Sequence, residues 1–583
     1  MAKILGGEVI SQMLHNEGVK CVFGIIDGTY FGLYSTLSKY GIELISPRHE
    51  TCAVHMAAAY ARITGTLGVC IASNGPGVAN ALPGVAVENG EGNRVLLITS
   101  TRRVGIGYPD RGGAYQYFNQ VAVTRPMTKW SGAVPSADRL VEFLKRGFRV
   151  SHRGRPGVVH VDVPESIINS RRPALSLPMP ESYRRTTPLV PDSRQVQAAA
   201  RMLRDAREPL IHAGSGVIHA QASEELAHVS QLLHAMVCTS WAGRGAISET
   251  NPLALPMIYI KLNNTVRKKA DVVLTIGSRI GETDWWGKAP NWRTPDAQRH
   301  IQVDIDDDIL GLNKPVDLAI VGDAKLFLQQ LARELEGESD AERMRVRRRK
   351  VEAYRVIQDK ERAKLDKILT APDAPLTAAH VATTCQRVFN DDAFLVVDGG
   401  NTAVWTNFYH EIRTPATVLS TPKFGMLGAG VSQTLAAKIA KPSRQVYCII
   451  GDGAMGFHPQ EIETAVRQRL AVVYIVCCDR QWGMVKMNQQ FALKPFKTML
   501  RKSLGPDETI NADLGEIRFD ELAASMGAHG ERVSHQDQLE AALQRSIASG
   551  MCAVVHVDVE PVRHMWAPSL LEFKRMHQEP KGR

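Results

Sequence analysis

The sequence predicts an α/β protein of three parallel-sheet domains, and three observations carry that expectation. The chain has 583 residues, too many for a single hydrophobic core, which stops growing at roughly 250–300 residues. Short apolar, β-branched runs alternate with helical patterns along its length. Two stretches interrupt the alternation: Arg171 to Asp192, rich in proline and polar residues, and the charged run Arg343 to Lys367.

In the first part, Cys21–Ile25, Leu67–Ala72, Val95–Thr99 and Val158–Val163 are apolar enough for buried parallel strands. Ile42–Ile45 reads as a further strand, leading into a small-residue helix from Cys52 to Thr64. The proline-rich stretch then sets a boundary near Ser170, so a first domain is expected over residues 1–170. A second, over 190–340, has strands at Pro209–Ala213, Val272–Ile276 and His300–Asp304, and ends at Arg343 to Lys367, read as a solvated linker helix. A third, over 375–560, has strands at Phe394–Val397, Gln445–Ile450, Ala471–Cys477 and Ala553–Val557, and residues 561–583 form a tail.

Composition removes several classes of function. Charged residues at 22% and hydrophobic residues at 44% are ordinary for a globular chain, which argues against disorder. Met1 to Glu8 does not lead into an apolar run, and no stretch reaches the roughly 20 apolar residues that a bilayer requires, so no membrane association and a cytoplasmic location are expected. Nine cysteines lack CxxC spacing, and Cys477 and Cys478 sit in an apolar run, favouring buried thiols in a reducing compartment. The net charge of +10 is concentrated in stretches such as Arg343–Lys350 and Lys494–Lys502, a pattern that does not suggest nucleic-acid binding.

Chemistry concentrates in Val446 to Ala454, where a buried strand delivers Asp452 between Gly451 and Gly453, with a helix expected from about Pro459. The glycines allow a diphosphate to approach the backbone, and Asp452 can hold the hard cation that neutralises it. The next strand ends in Cys478-Asp479-Arg480-Gln481-Trp482-Gly483, setting a second oxygen ligand at the same sheet edge.

These segments resemble the thiamine-diphosphate enzymes, whose fingerprint is GDG, an intervening helix and strand, then two asparagines. The resemblance implies three doubly wound parallel-sheet domains, in the order pyrimidine-binding, middle and diphosphate-binding. It implies thiamine diphosphate and Mg2+ as cofactors, with Asp452, Asp479 and the backbone carbonyl of Gln481 as metal ligands. Gly451, Gly453 and Ala454 would lie against the diphosphate. Cys478-Asp479 replaces the asparagine pair, so one amide ligand becomes a carboxylate and adds negative charge beside the diphosphate. In Asp398-Gly399-Gly400-Asn401-Thr402, the residues Gly400, Asn401 and Thr402 would donate to the diphosphate; in Lys423-Phe424-Gly425-Met426-Leu427, Phe424 and Met426 would support the bent cofactor.

Glu50 follows Pro47-Arg48-His49 at the start of the small-residue helix. In the resembling family such a glutamate hydrogen-bonds the pyrimidine ring and drives it to the imino form that deprotonates the thiazolium. Ser73-Asn74-Gly75-Pro76-Gly77-Val78-Ala79-Asn80 follows a strand as in the pyrimidine-binding domain, and implies contacts from Pro76 and Asn80.

Within the family the chain is most similar to acetolactate synthase large subunits. Ala114-Tyr115-Gln116, followed by Thr124-Arg125-Pro126, matches their segment in which Gln116 would face the reacting carbon, and Gly483-Met484-Val485 matches theirs after the metal site. The histidine pair and the catalytic glutamate of pyruvate-type decarboxylases have no counterpart near Gln116 and Val485. Tyr115 to Gln120 also resembles 2-hydroxyacyl-CoA lyases and, more loosely, benzaldehyde lyase. On that alternative Lys494, Lys497, Arg501 and Lys502, with the tail from Trp566 to Arg583 carrying Lys574 and Arg575, would cover a CoA ester; otherwise they are solvated cations. Expected partners are thus a small 2-oxo acid or acyl-CoA. Gly277 to Thr283 lies where the synthases touch FAD, but Asp284-Trp285-Trp286 departs from their pattern, leaving FAD and a flavin oxidase open. A catalytically inactive, cofactor-binding regulatory relative is the reading from another class. The resemblance further implies a homodimer or homotetramer with shared active sites, Glu50 coming from one chain and the diphosphate site from its neighbour.

Overall fold

The computed structural model describes residues 3–107, 112–174, 176–337, 340–370, 375–501 and 508–577. Its three six-stranded sheets are parallel throughout and flanked by helices, and a separate antiparallel pair forms between Lys3–Leu5 and Arg171–Pro173. Contacts divide the chain into two compact units.

The first unit comprises Met1–Thr187, Lys423–Ser443 and His458–Leu470. Its strands run Glu43–Ile45, Cys21–Gly24, Gly68–Ala72, Val95–Thr101, Val158–Pro164, Trp130–Ala133 across the sheet. The helix Glu50–Thr64 packs against Pro76–Glu91 on one side and Ala429–Ala440 on another. Small residues permit this: Ala53, Ala57 and Ala58 on the first helix and Ala436 and Ala437 on the last are all buried, so the backbones approach closely. Lys423 to Leu427 and its following helix, although they lie between strands of the third sheet in sequence, therefore belong to this unit.

The second unit comprises Pro188–Pro422, Arg444–Phe457 and Ala471–Arg583 and holds two sheets. One is ordered Ala254–Leu255, Met236–Thr239, Pro209–Ala213, Val272–Ile276, Arg299–Asp304, Leu318–Val321. The other is ordered Val418–Leu419, Phe394–Asp398, Val446–Gly451, Val473–Cys478, Ala553–Asp558, His529–Val533. One apolar cluster, including Leu210, Val273, Trp405, Ile449 and Val555, serves both. All nine cysteines are buried free thiols.

One local expectation is corrected. The charged helix, observed at Ala341–Asp366, is docked rather than solvated, burying Arg347, Val351, Tyr354 and Gln358. Arg347 is the reason: it donates to the carbonyls of Leu233 at 2.7 Å, Leu203 at 2.8 Å and Ala206 at 2.7 Å, satisfying acceptors at the ends of the helices Ser193–Asp205 and Ser223–Leu233. Arg347→Ala is expected to cost about 3 kcal/mol, because buried carbonyls lose their donor. Denaturant titration checks this, and an unchanged midpoint would refute it. The helix expected from about Pro459 is present, beginning at Glu461 after a separate turn of helix at Asp452–Met455. Lys502 and residues 578–583 of the tail lie outside the described residues.

Candidate active site

The third sheet reverses its strand order between Phe394–Asp398 and Val446–Gly451, and the crevice beyond such a reversal is where open α/β sheets bind ligands. Gly399 turns there with φ +103°. A Cβ on it would come 3.1 Å from the amide nitrogen of Gly451, so only glycine lets the two strand ends meet. The helix Asn401–Tyr409 then presents its N-terminal amides to the crevice.

On the adjoining strand ends, Asp452 accepts the N–H of Gly453 at 2.8 Å through one oxygen and that of Arg480 at 2.8 Å through the other. Arg480 takes a left-handed φ of +56°, re-aiming the loop after Cys478 toward Asp452. Asp479 is 7% exposed, and its Oδ2 accepts from Gln481 Nε2 at 3.2 Å. Burial, with the neighbouring carboxylate, pushes Asp452 up to about 6, and burial pushes Asp479 up to about 7. A half-buried and a buried acid so placed accommodate a cation well. A short bridge holds the loop: Gln481 pairs with Asp513, and Trp482 donates to the carbonyl of Ala512 at 2.8 Å.

Gly400, Asn401, Thr402, Gly451, Asp452, Gly453, Asp479, Gln481 and Met484 thus share one strand-end cluster. A Cβ on Gly400 would meet Met484 at 3.4 Å, one on Gly451 would meet Thr402 Oγ1 at 3.1 Å, and one on Gly483 would meet Asn401 Nδ2 at 2.6 Å. Ala454 sits behind it, 2% exposed, in the Asp452–Met455 turn. The sequence reading missed His564, whose Nε2 lies 3.0 Å from Thr402 Oγ1 and 4.0 Å from Asp479 Oδ2. Its place just past the last strand of the sheet was the available signal. Burial pushes His564 down to about 4, so the ring is neutral. Asn401 Oδ1 and His564 Nδ1 are buried without a hydrogen-bond partner among the described residues, a condition that a polar ligand would relieve.

Glu516, His556 and Asp558 also cluster closely enough to hold a metal ion. Arg532 already bonds Glu516 at 2.8 Å and Asp558 at 2.8 Å, so this group is an ion-pair network rather than an open ligand set.

In the first unit, Glu50 begins its helix, 8% exposed, and accepts a hydrogen bond from Asn80 Nδ2 at 3.1 Å. Pro76 opens the facing helix, where its missing N–H costs nothing. A Cβ on Gly77 would lie 3.4 Å from Glu50 Oε1. Gln116 is exposed with φ +53°, and its carbonyl accepts from Asn74 Nδ2 at 2.9 Å. A Cβ on Gly75 would come 2.5 Å from that carbonyl, so the turn carrying Gln116 is seated on the turn that opens at Pro76. Beneath, Gln120 accepts from the amide of Gly75 at 2.9 Å and donates to Asp162 at 2.8 Å. Phe424 is half-exposed and Met426 partly buried, on the loop that precedes Ala429–Ala440.

Comparison with known proteins agrees with this geometry. Residues 4–123 match the family described as "Thiamine pyrophosphate enzyme, N-terminal TPP binding domain", 196–331 its "central domain" and 398–557 its "C-terminal TPP binding domain". The chain is 29% identical over 585 residues to "Acetolactate synthase isozyme 3 large subunit" of Escherichia coli (strain K12), covering 97% of this chain and 96% of that protein. It is 28% identical over 560 residues to "Probable acetolactate synthase large subunit" of Methanococcus aeolicus, covering 93% and 90%. It is 29% identical over 574 residues to "Sulfoacetaldehyde acetyltransferase" of Alcaligenes xylosoxydans xylosoxydans, covering 94% and 90%. The chain belongs to the thiamine pyrophosphate enzymes and is acetolactate synthase-like.

Proposed function

We propose that the protein is a magnesium-dependent carbon–carbon bond-forming enzyme that uses thiamine diphosphate to transfer an acyl group from a small 2-oxo acid. The observation that carries this reading is the strand-end cluster, where the half-buried Asp452 and the buried Asp479 adjoin glycine turns, a helix N-terminus and Asn401 Oδ1, which has no hydrogen-bond partner among the described residues. Asp452, Asp479 and the Gln481 carbonyl would hold Mg2+, all oxygen donors that suit a hard cation. Amides of Gly400 to Thr402 and Gly451 to Ala454 would bind the diphosphate. Thiamine diphosphate held there would supply a nucleophilic carbon. Glu50, shielded from water and held by Asn80, would exchange a proton with the pyrimidine ring, while Gln116 would orient the acyl group. Met426 and Phe424 would support the ring, with Met484 lining the site. Glu50 and Asp452 would act in one centre contributed by two chains, in a homodimer or homotetramer. These roles make the three sheets the pyrimidine-binding, middle and diphosphate-binding domains. No helix among the described residues is long and apolar enough to cross a membrane, and the free thiols fit a cytoplasmic enzyme.

Some residues named for two alternatives have partners within the fold. Of the cations offered to a CoA ester, Lys494 and Lys497 both pair with Glu508, and Lys574 donates to Asn488. For FAD, Gly277 is closed against Gly216, whose N–H donates to the Gly277 carbonyl at 3.1 Å. Asp284 is turned into the core, paired with Arg267 at 2.8 Å and with His212 at 3.4 Å. Gly277 and Asp284 are thus committed to contacts within the fold.

A panel of 2-oxo acids, with a second 2-oxo acid or sulfoacetaldehyde as acceptor and 2-hydroxyacyl-CoA esters as controls, tests the reading. Decarboxylation coupled to carbon–carbon bond formation, dependent on added thiamine diphosphate and Mg2+, is expected. Cleavage of the CoA esters alone would overturn it.

A further inference from the structure

At the far end of the helix that begins at Pro76, Glu91 is 6% exposed, and its Oε1 accepts two backbone N–H groups, those of Lys423 at 3.0 Å and Phe424 at 2.8 Å. An acid at a helix C-terminus is disfavoured by the helix dipole, and a buried carboxyl costs more still unless it is hydrogen-bonded. Burial pushes it up to about 7, with the two amides opposing that rise. The end of the helix is itself anchored: Arg155 donates to the carbonyls of Gly90 at 2.8 Å and Asn89 at 3.3 Å. Phe424 lies across Gly90, where a Cβ would come 3.0 Å from its ring. Beyond Phe424, Gly425 at φ +67° and Gly428 at φ +88° bracket Met426 in left-handed turns. The paired bonds to Glu91 set where this loop starts.

We propose that Glu91 is a positioning residue for the cofactor: by clamping the amides of Lys423 and Phe424 it fixes the loop that presents Met426. The inference rests on the function proposed above. The Pro76–Glu91 helix then works at both ends, with Asn80 bonding Glu50 near its start and Glu91 holding the Met426 loop at its finish. The ring portion of thiamine diphosphate feels the loop, whereas the diphosphate portion depends on Asp452 and Asp479.

Calorimetric titration with two probes, thiamine diphosphate and inorganic diphosphate, each with Mg2+, separates these dependences. Glu91→Ala is expected to weaken thiamine diphosphate about tenfold, the worth of one to two hydrogen bonds, with inorganic diphosphate unchanged. Glu91→Gln keeps a carbonyl acceptor and is expected to recover most of the affinity. Combining Glu91→Ala with Met426→Ala is expected to add little to either alone, because both act through the same contact. Equal weakening toward both probes, an unchanged affinity in Glu91→Ala, or a Gln variant as weak as Ala would each overturn the proposal. If Asp452→Ala leaves both probes unaffected, the cofactor reading itself fails, and that outcome is distinguishable from failure of the clamp alone.

Discussion

Asp452→Ala and Asp479→Ala are each expected to weaken thiamine diphosphate at limiting magnesium by roughly a hundredfold, about 3 kcal/mol, since each removes one oxygen from the shell that offsets the diphosphate charge. The two positions differ in what replaces them. Asp479→Asn keeps an oxygen donor and removes a negative charge from beside Asp452, whose own carboxyl is already pushed up to about 6. It is therefore expected to bind the cofactor at least as tightly as the parent. Titrations at fixed low Mg2+ decide the matter, and alanine variants indistinguishable from the parent would exclude this metal site.

Glu50→Gln is expected to keep the fold and cofactor binding while lowering turnover on the order of 10²–10⁴-fold, because an amide cannot exchange the proton that the pyrimidine requires. Exchange of the thiazolium hydrogen in deuterated water, followed by NMR, measures this without substrate; an undiminished rate would refute the role. Mixing Glu50→Gln chains with Asp452→Ala chains is expected to restore part of the activity after subunit exchange, since each hybrid assembly then has a centre with both groups intact. Complete inactivity in proven hybrids would remove the shared-centre proposal.

Most central strands were legible because burial on both faces leaves a continuous apolar run, although the buried central strand Met236–Thr239 was missed. Pro209–Ala213 and Val272–Ile276 occur as expected, and Val95, Val158 and Ala553 begin their strands as expected. Among the edge strands Glu43–Ile45 was legible, but most were not. Trp130–Ala133 and His529–Val533 are only partly buried, and Val418–Leu419 is two residues long, so none carries an apolar run distinct from a loop. The metal-side residues were readable as a spacing, since strand ends in a parallel sheet come together by topology. His564 and Glu91 were hidden because their value lies in partners distant in sequence, Thr402 and Asp479 for one, Lys423 and Phe424 for the other. Arg347 was misread for a related reason: within a basic helix, nothing local marks the one guanidinium that meets carbonyls of Leu203, Ala206 and Leu233.

The route of the chain also bears on how the protein is made. The first unit is not a contiguous stretch; it recruits Lys423–Ser443 and His458–Leu470 after more than two hundred residues of the other unit. The Glu50–Thr64 helix leaves the ribosome about 360 residues before Ala429–Ala440, which covers its alanine face. At roughly 5–20 residues per second that face waits tens of seconds for its cover. During synthesis the nascent amino-terminal half therefore carries an uncovered apolar surface, a state in which chaperone capture or premature association competes with folding.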